Sequence, residues 1–103
     1  MVNSINKGKA GEREFANYLK DHNIQARRGQ QHRGTPDSPD VISELPFHIE
    51  VKRTERLNHI KALKKAKSES DKPPLVAHRK NREDWIIILY ADDFINLLRD
   101  DKE

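Results

Sequence analysis

The stretch Phe47-His48-Ile49-Glu50-Val51-Lys52, preceded by Pro39-Asp40-Val41-Ile42, decides how this sequence folds. Phe47, Ile49 and Val51 alternate with His48, Glu50 and Lys52, the period-two pattern of a strand with an apolar inner face and a polar outer one. Val41-Ile42 reads as the strand before it, with Glu44-Leu45-Pro46 as a tight turn between the two. Such a hairpin brings Asp40 towards Glu50 and Lys52. Two carboxylates and a lysine on one face can hold a divalent cation beside a cationic group, which is what cutting a phosphodiester requires. Taken alone, the same residues read equally well as a solvated strand face with a mild Glu50–Lys52 ion pair.

A length of 103 residues fits a single domain, residues 1–103. Hydrophobic residues make up 34% and charged residues 36%, so the core must be small. It is expected from Phe15 and Leu19, Val41 and Ile42, Phe47, Ile49 and Val51, Leu75 and Val76, the run from Trp85 to Tyr90, and Phe94 to Leu98. A core of that size leaves a narrow stability margin, which dimerisation would widen, so a homodimer is expected. With no cysteine, disulfide scaffolds, zinc-thiolate sites and thiol chemistry are excluded. No apolar run approaches the ~20 residues of a membrane span, and the first residues lack a signal-peptide apolar region. The expectation is a soluble, cytoplasmic protein with no membrane partner.

The net charge is +3 and the isoelectric point about 9.3, a mildly basic balance. Three clusters concentrate it: Arg27, Arg28, His32 and Arg33; Lys61, Lys64, Lys65 and Lys67; and His78, Arg79, Lys80 and Arg82. Clusters of this kind supply sequence-independent contacts to nucleic-acid phosphates. Arg27, Arg28, Arg33, Lys61, Lys64, Lys65, Arg79 and Arg82 are the candidate DNA contacts. The lysines read equally as the solvated face of a helix.

Periodicity predicts the element order α-β-β-β-α-β-β-α, a mixed sheet flanked by helices. The first helix runs from residue 3 or 7 to 22, with Asn23 as its stop, and buries Phe15, Ala16 and Leu19. Strands are expected at 24–28, 40–43, 47–53, 75–79 and 84–90, with a loop at 29–39 and a polar turn at 80–83. A second helix spans 57–70 with Leu57, Ile60, Leu63 and Ala66 on its stripe, ended by Pro73 and Pro74. A third begins at 91–93, where Asp92 and Asp93 suit its positive end, and carries Phe94, Leu97 and Leu98. Residues 100–103 are expected to fray.

Two aspartates follow prolines. No apolar strand follows Asp37, which reads as a turn residue, whereas Asp40 leads directly into Val41-Ile42. Glu50 sits mid-strand between apolar neighbours, where a carboxylate must be paired, hydrated or metal-bound. Glu12 tips the balance towards a site. It falls three, four and seven residues before Phe15, Ala16 and Leu19, on the buried stripe of the first helix, while Glu14 lies off that stripe and should be solvated. Gly8 and Gly11 border the same face and suit close packing against a sheet. Three converging carboxylates repel, and a divalent cation is the simplest remedy; oxygen donors point to Mg²⁺, with Mn²⁺ able to substitute.

Gly8-Lys9-Ala10-Gly11-Glu12-Arg13, Pro39-Asp40 and Glu50-Val51-Lys52 together resemble the PD-(D/E)XK nuclease superfamily. Within it the chain is most similar to the archaeal-type Holliday junction resolvases and their bacteriophage relatives. Arg27-Arg28-Gly29-Gln30-Gln31 and Lys52-Arg53-Thr54-Glu55-Arg56-Leu57 are similar to the phage-borne branch. The resemblance covers residues 7–98 and implies a restriction-endonuclease-like αβββαβ core. It implies a Mg²⁺-dependent endodeoxyribonuclease acting as a homodimer on four-way junctions by paired nicks, in the host cytoplasm if phage-encoded. Asp40 and Glu50 would ligate the metal with the Val51 carbonyl, Glu12 would complete the site directly or through water, and Lys52 would position or activate the attacking water. The chain departs from the family pattern at Arg33-Gly34, where such resolvases often carry Ser-Gly, and it is short for the family. Two alternatives remain: a nuclease of the same core acting on duplex, flap or single-stranded DNA, and a basic DNA-binding module without catalysis.

Overall fold

The computed structural model describes residues 4–29 and 38–100. Arg33, with the other residues of the 30–37 segment, lies outside the described residues, as do residues 101–103. The elements are α1 (Ser4–Asp21), β1 (Ala26–Arg28), β2 (Val41–Ser43), β3 (His48–Lys52), α2 (His59–Ser68), β4 (Pro74–His78), β5 (Ile86–Ile88) and α3 (Ala91–Asp100). They follow the expected order along the chain and form an α/β unit of the expected class, whose five-stranded mixed sheet runs β1-β2-β3-β4-β5. Only β3 and β4 are parallel, joined through α2. The other neighbours are antiparallel.

Local chemistry sets the boundaries. Asn23 adopts φ 64°, the left-handed conformation that closes a helix. The N–H of Ile24 donates to the Leu19 carbonyl (2.9 Å) and that of Asn23 to Lys20 (3.0 Å), a Schellman cap. Ile24 is thereby committed to the cap, so β1 starts two residues later than expected. Asn58 caps α2 by accepting from the Lys61 N–H (3.1 Å), which leaves Leu57 outside the helix, packed against the α2-side core. Pro74 opens β4, a position where no ladder donor is required.

Two cores lie on opposite sides of the sheet. Phe15, Ala16 and Leu19 of α1 pack on Val41, Phe47, Ile49, Val51, Leu75 and Ala77. On the other side Ala62 and Leu63 of α2 cover Val76, with Leu57, Ile88 and Tyr90 around them. Gly11 lets α1 approach β3 closely, because a Cβ there would lie 2.7 Å from the Arg53 Cβ. Gly8 faces open space and takes no part in this contact.

Several expectations fail for the same reason: burial depends on what covers a face. The polar face of β3 is not solvated, since His48 and Glu50 are 2% and 5% exposed beneath α2. Ile60 lies off the buried stripe of α2, which is Ala62, Leu63 and Ala66. Ile42, Ile86, Ile87, Phe94 and Leu98 were expected in the core and are exposed, whereas Leu97 does pack inward. Glu14 is half-buried rather than solvated, held by Arg79 (2.6 Å) and Arg53 (3.3 Å). His78 leaves its basic cluster, buried with Nε2 2.9 Å from the Thr54 carbonyl.

Candidate active site

Asp40 stands immediately before β2, alongside β3. Its N–H donates to the Ile49 carbonyl (2.9 Å), and its carbonyl accepts from Gly29 (2.8 Å). Its Oδ2 accepts from the Val51 N–H (2.9 Å). The side chain thus takes over a backbone ladder bond, which fixes the carboxylate. Gly29 is required at this crossing, because a Cβ would run into the Pro39 carbonyl.

Glu50 is one residue from Val51 on β3 and points to the opposite side, beneath α2. Burial, then hydrogen bonds to Glu69 and Asp40 and the charges of both, push its carboxyl up to about 10. The hydrogen bond to Glu50 is the main cause holding Glu69 below its ordinary value. Glu12 is raised too, first by burial and then by the Asp40 charge, against the pull of Arg28. The Arg28 Nε lies 3.0 Å from Glu12 Oε1 and ties the first helix to the edge strand at the site. The expected trio is therefore electrostatically contiguous: Glu12 faces Asp40, and Asp40 faces Glu50.

Lys52 shares the Glu50 side of β3 and is partly exposed at the strand end, with no ion pair among the described residues. Val51 buries its side chain in the α1-side core while its backbone reaches the site.

A fourth carboxylate was missed. Glu69 caps the C-terminus of α2, its Oε1 3.3 Å from His48 Nε2 and its Oε2 3.4 Å from Lys65 Nζ. The ligand atoms of His48, Glu50 and Glu69 lie within 4.8 Å of one another. The signal was available: Glu69 follows Ala62 by seven residues and Ala66 by three, the same helical spacing that singled out Glu12. The stripe expected through Leu57, Ile60, Leu63 and Ala66 also reaches Glu69, three residues beyond Ala66, so the spacing pointed to this carboxylate without its being singled out.

The basic candidates divide into two groups. Lys65 reaches into the site, 3.8 Å from Glu50 Oε1, and Arg28 is bound to Glu12. Arg79 is engaged by Glu14, by the Glu83 carbonyl (2.6 Å) and by the Trp85 ring (6.0 Å to its centroid). Arg27, Lys61, Lys64 and Arg82 are exposed. Lys61 and Lys64 lie within one turn of Lys65 on α2. Arg82 sits at φ 65° in the turn before β5.

No family model matches the sequence, and no curated protein matches it. Among solved structures, the chain is similar to the Archaeoglobus fulgidus protein Hjc, described as a Holliday junction resolvase from an archaeal hyperthermophile. The TM-score is 0.56 at 20% sequence identity, over 76% of this chain and 72% of that one. At that identity the likeness establishes a shared fold.

Proposed function

We propose that this chain is a divalent-metal-dependent endodeoxyribonuclease that resolves four-way DNA junctions by paired nicks as a homodimer. One observation carries the reading: Asp40 and Glu50, brought together by β2 and β3, form a buried anionic centre flanked by Glu12, with Lys52 on the same strand side. Its surplus negative charge is visible in Glu50, which holds its proton even with Lys65 nearby. The donors fit a hard divalent cation, Mg²⁺ or Mn²⁺.

Asp40 and Glu50 would hold the ion with the Val51 carbonyl, and Glu12 would complete its shell directly or through water. Such an ion supplies Lewis-acid stabilisation of the phosphate and a lowered pKa for bound water. Lys52 orients the attacking water and offsets charge building on the phosphate oxygens. Arg28 keeps Glu12 aimed at Asp40. Arg27, Lys61 and Lys64, with Arg33 and Arg82, contact phosphates along the strand. Arg79 contributes by fixing Glu14 and Trp85.

Cleavage of labelled four-way, forked and linear DNA, with and without Mg²⁺, tests the reading against Asp40→Asn. Symmetric nicks on four-way DNA with linear duplex intact support junction resolution. Degradation of linear duplex or single strands assigns a different nuclease of this fold. Tight junction binding with no cleavage in Mg²⁺ or Mn²⁺ assigns a binding module.

A further inference from the structure

β3 and β4 run parallel, so both leave the sheet at the same end, where residues 53–58 and 79–85 follow them. Hydrogen bonds tie these two segments together. His78 is buried, and its Nε2 donates to the Thr54 carbonyl (2.9 Å), since a carbonyl can only accept. The Asn81 N–H donates to Glu55 Oε2 (2.7 Å). The Arg53 guanidinium donates to Asn81 Oδ1 (3.0 Å) and to the Arg79 carbonyl (3.3 Å). Thr54 Oγ1 donates to the Arg56 carbonyl (2.8 Å), which fixes the backbone that carries Arg56.

A cavity of about 520 Å³ opens between these segments and the start of α2, with Arg56, Leu57, His59, His78, Lys80 and Ile86 in its lining. Arg56, His59 and Lys80 are exposed, and their side chains have no hydrogen-bond or ion-pair partner among the described residues. Glu55 also borders the cavity, but it accepts from the Asn81 N–H, so two full positive charges outweigh one engaged negative charge. Arg56 and His59 fall outside the basic clusters of the sequence, because they meet Lys80 only where the segments converge. The strand registers place the cavity beside Lys52. Lys52 pairs with His78 and His78 with Ile86, one row across the α2 side of the sheet. Two strand spacings, roughly 10 Å at about 4.8 Å each, separate the ends of that row.

We propose that this cavity is a phosphodiester subsite, which seats one phosphate of a DNA strand between Arg56 and Lys80. The planar guanidinium presents paired donors that match phosphate oxygens, the ammonium adds a point charge, and His59 offers a further N–H. Leu57 and Ile86 give the attached deoxyribose an apolar wall. The cavity takes the sugar and phosphate of one nucleotide, not a duplex. One strand advances about 3.4 Å per nucleotide, so a phosphate held here lies about three nucleotides from the one at Lys52. It thereby sets which phosphodiester reaches the acidic centre. That last consequence rests on the nuclease reading; the subsite itself does not.

Binding of the full chain to four-way DNA in EDTA tests the subsite, with one phosphate at a time replaced by a neutral methylphosphonate. In wild type, replacing the seated phosphate should weaken binding about tenfold. In the double variant Arg56→Gln with Lys80→Gln the same replacement should cost less than about twofold, because the contact is already gone. Each single substitution should lower the salt slope by about one. Both side chains are exposed, so the variants keep the fold. Lys20→Gln, on the α1 side of the sheet, should leave the set of sensitive phosphates unchanged. A double variant with the wild-type set overturns the subsite. So does a double variant that loses a poly-glutamate peptide and keeps DNA, which assigns the cavity to an acidic protein segment. The nuclease reading fails separately: a chain with the expected phosphate coupling that never cuts in Mg²⁺ or Mn²⁺ keeps the subsite, whereas one that cuts without that coupling loses it.

Discussion

The Val51 N–H donates to Asp40 Oδ2 at 2.9 Å, so a carboxylate of the candidate site also completes the hydrogen bonding of the strand that carries Glu50. Site and fold are coupled at this bond. Asp40→Asn keeps an acceptor for Val51, whereas Asp40→Ala leaves a buried N–H unpaired at a cost of about 1–3 kcal/mol. Both should lower metal-dependent cleavage at least ~100-fold. Only the alanine variant should lose stability, which urea melts without metal will show.

Glu50 makes metal-free stability depend on pH. Its folded pKa, about 10, lies above the ordinary 4.5. Its contribution is therefore fully present below 4.5 and declines as pH rises towards 10, because the unfolded chain releases the proton first. Glu69 is shifted the other way, so its contribution is present above its ordinary value and lost as pH falls through its folded value. Between about pH 5 and 8 the Glu50 slope dominates, bounded by ~1.4 kcal/mol per pH unit. Urea melts in EDTA should show wild type losing stability across this window and Glu50→Gln losing much less. Saturating Mg²⁺ should flatten the wild-type slope and leave Glu50→Gln unchanged.

Lys65 and Lys64 are neighbours in sequence with different roles. Lys65 lies between Glu50 and Glu69, 3.8 and 3.4 Å from their oxygens, and Lys64 is exposed. Lys64→Met should weaken DNA binding, lower its salt slope by about one unit and leave the pH profile of cleavage in place. Lys65→Met should move that profile to higher pH, since the carboxylates lose the cation that favours their ionised form. Binding titrations at several salt concentrations and pH–rate profiles separate the two.

The two glycines of α1 should respond oppositely to alanine. At Gly11 the new methyl meets the Arg53 Cβ at 2.7 Å, forcing α1 off β3 and carrying Glu12 away from Asp40. The expected cost is about 1–3 kcal/mol, with a loss of cleavage. At Gly8 there is open space, and the helix gains up to about 1 kcal/mol. Thermal melts and junction cleavage of both variants check this.

Much of the site was legible because its residues break local patterns. Glu50 interrupts an apolar run, Asp40 leads into Val41-Ile42, and Glu12 lies on a stripe otherwise apolar at Phe15, Ala16 and Leu19. Each is a carboxylate where periodicity calls for burial, and that conflict can be read without coordinates. Glu69 carries the same mark, three residues beyond Ala66, but it stands at the C-cap of α2, where a carboxylate reads as an ordinary solvated helix end.

By itself the sequence determined the element order and the fold class and singled out three of the grouped carboxylates, Glu12, Asp40 and Glu50, since periodicity and capping are properties of neighbours along the chain. It could not decide which faces are covered. Burial of His48 and Glu50 depends on α2 crossing β3, and exposure of Ile86, Ile87, Phe94 and Leu98 depends on nothing among the described residues crossing β5 and α3. Nor could it divide the cations, because Arg28 and Lys65 meet their carboxylates only where separate elements converge. Apolar patterning states that a face seeks cover; only the tertiary structure supplies what covers it, and with that the pairing and proton affinity of each buried charge.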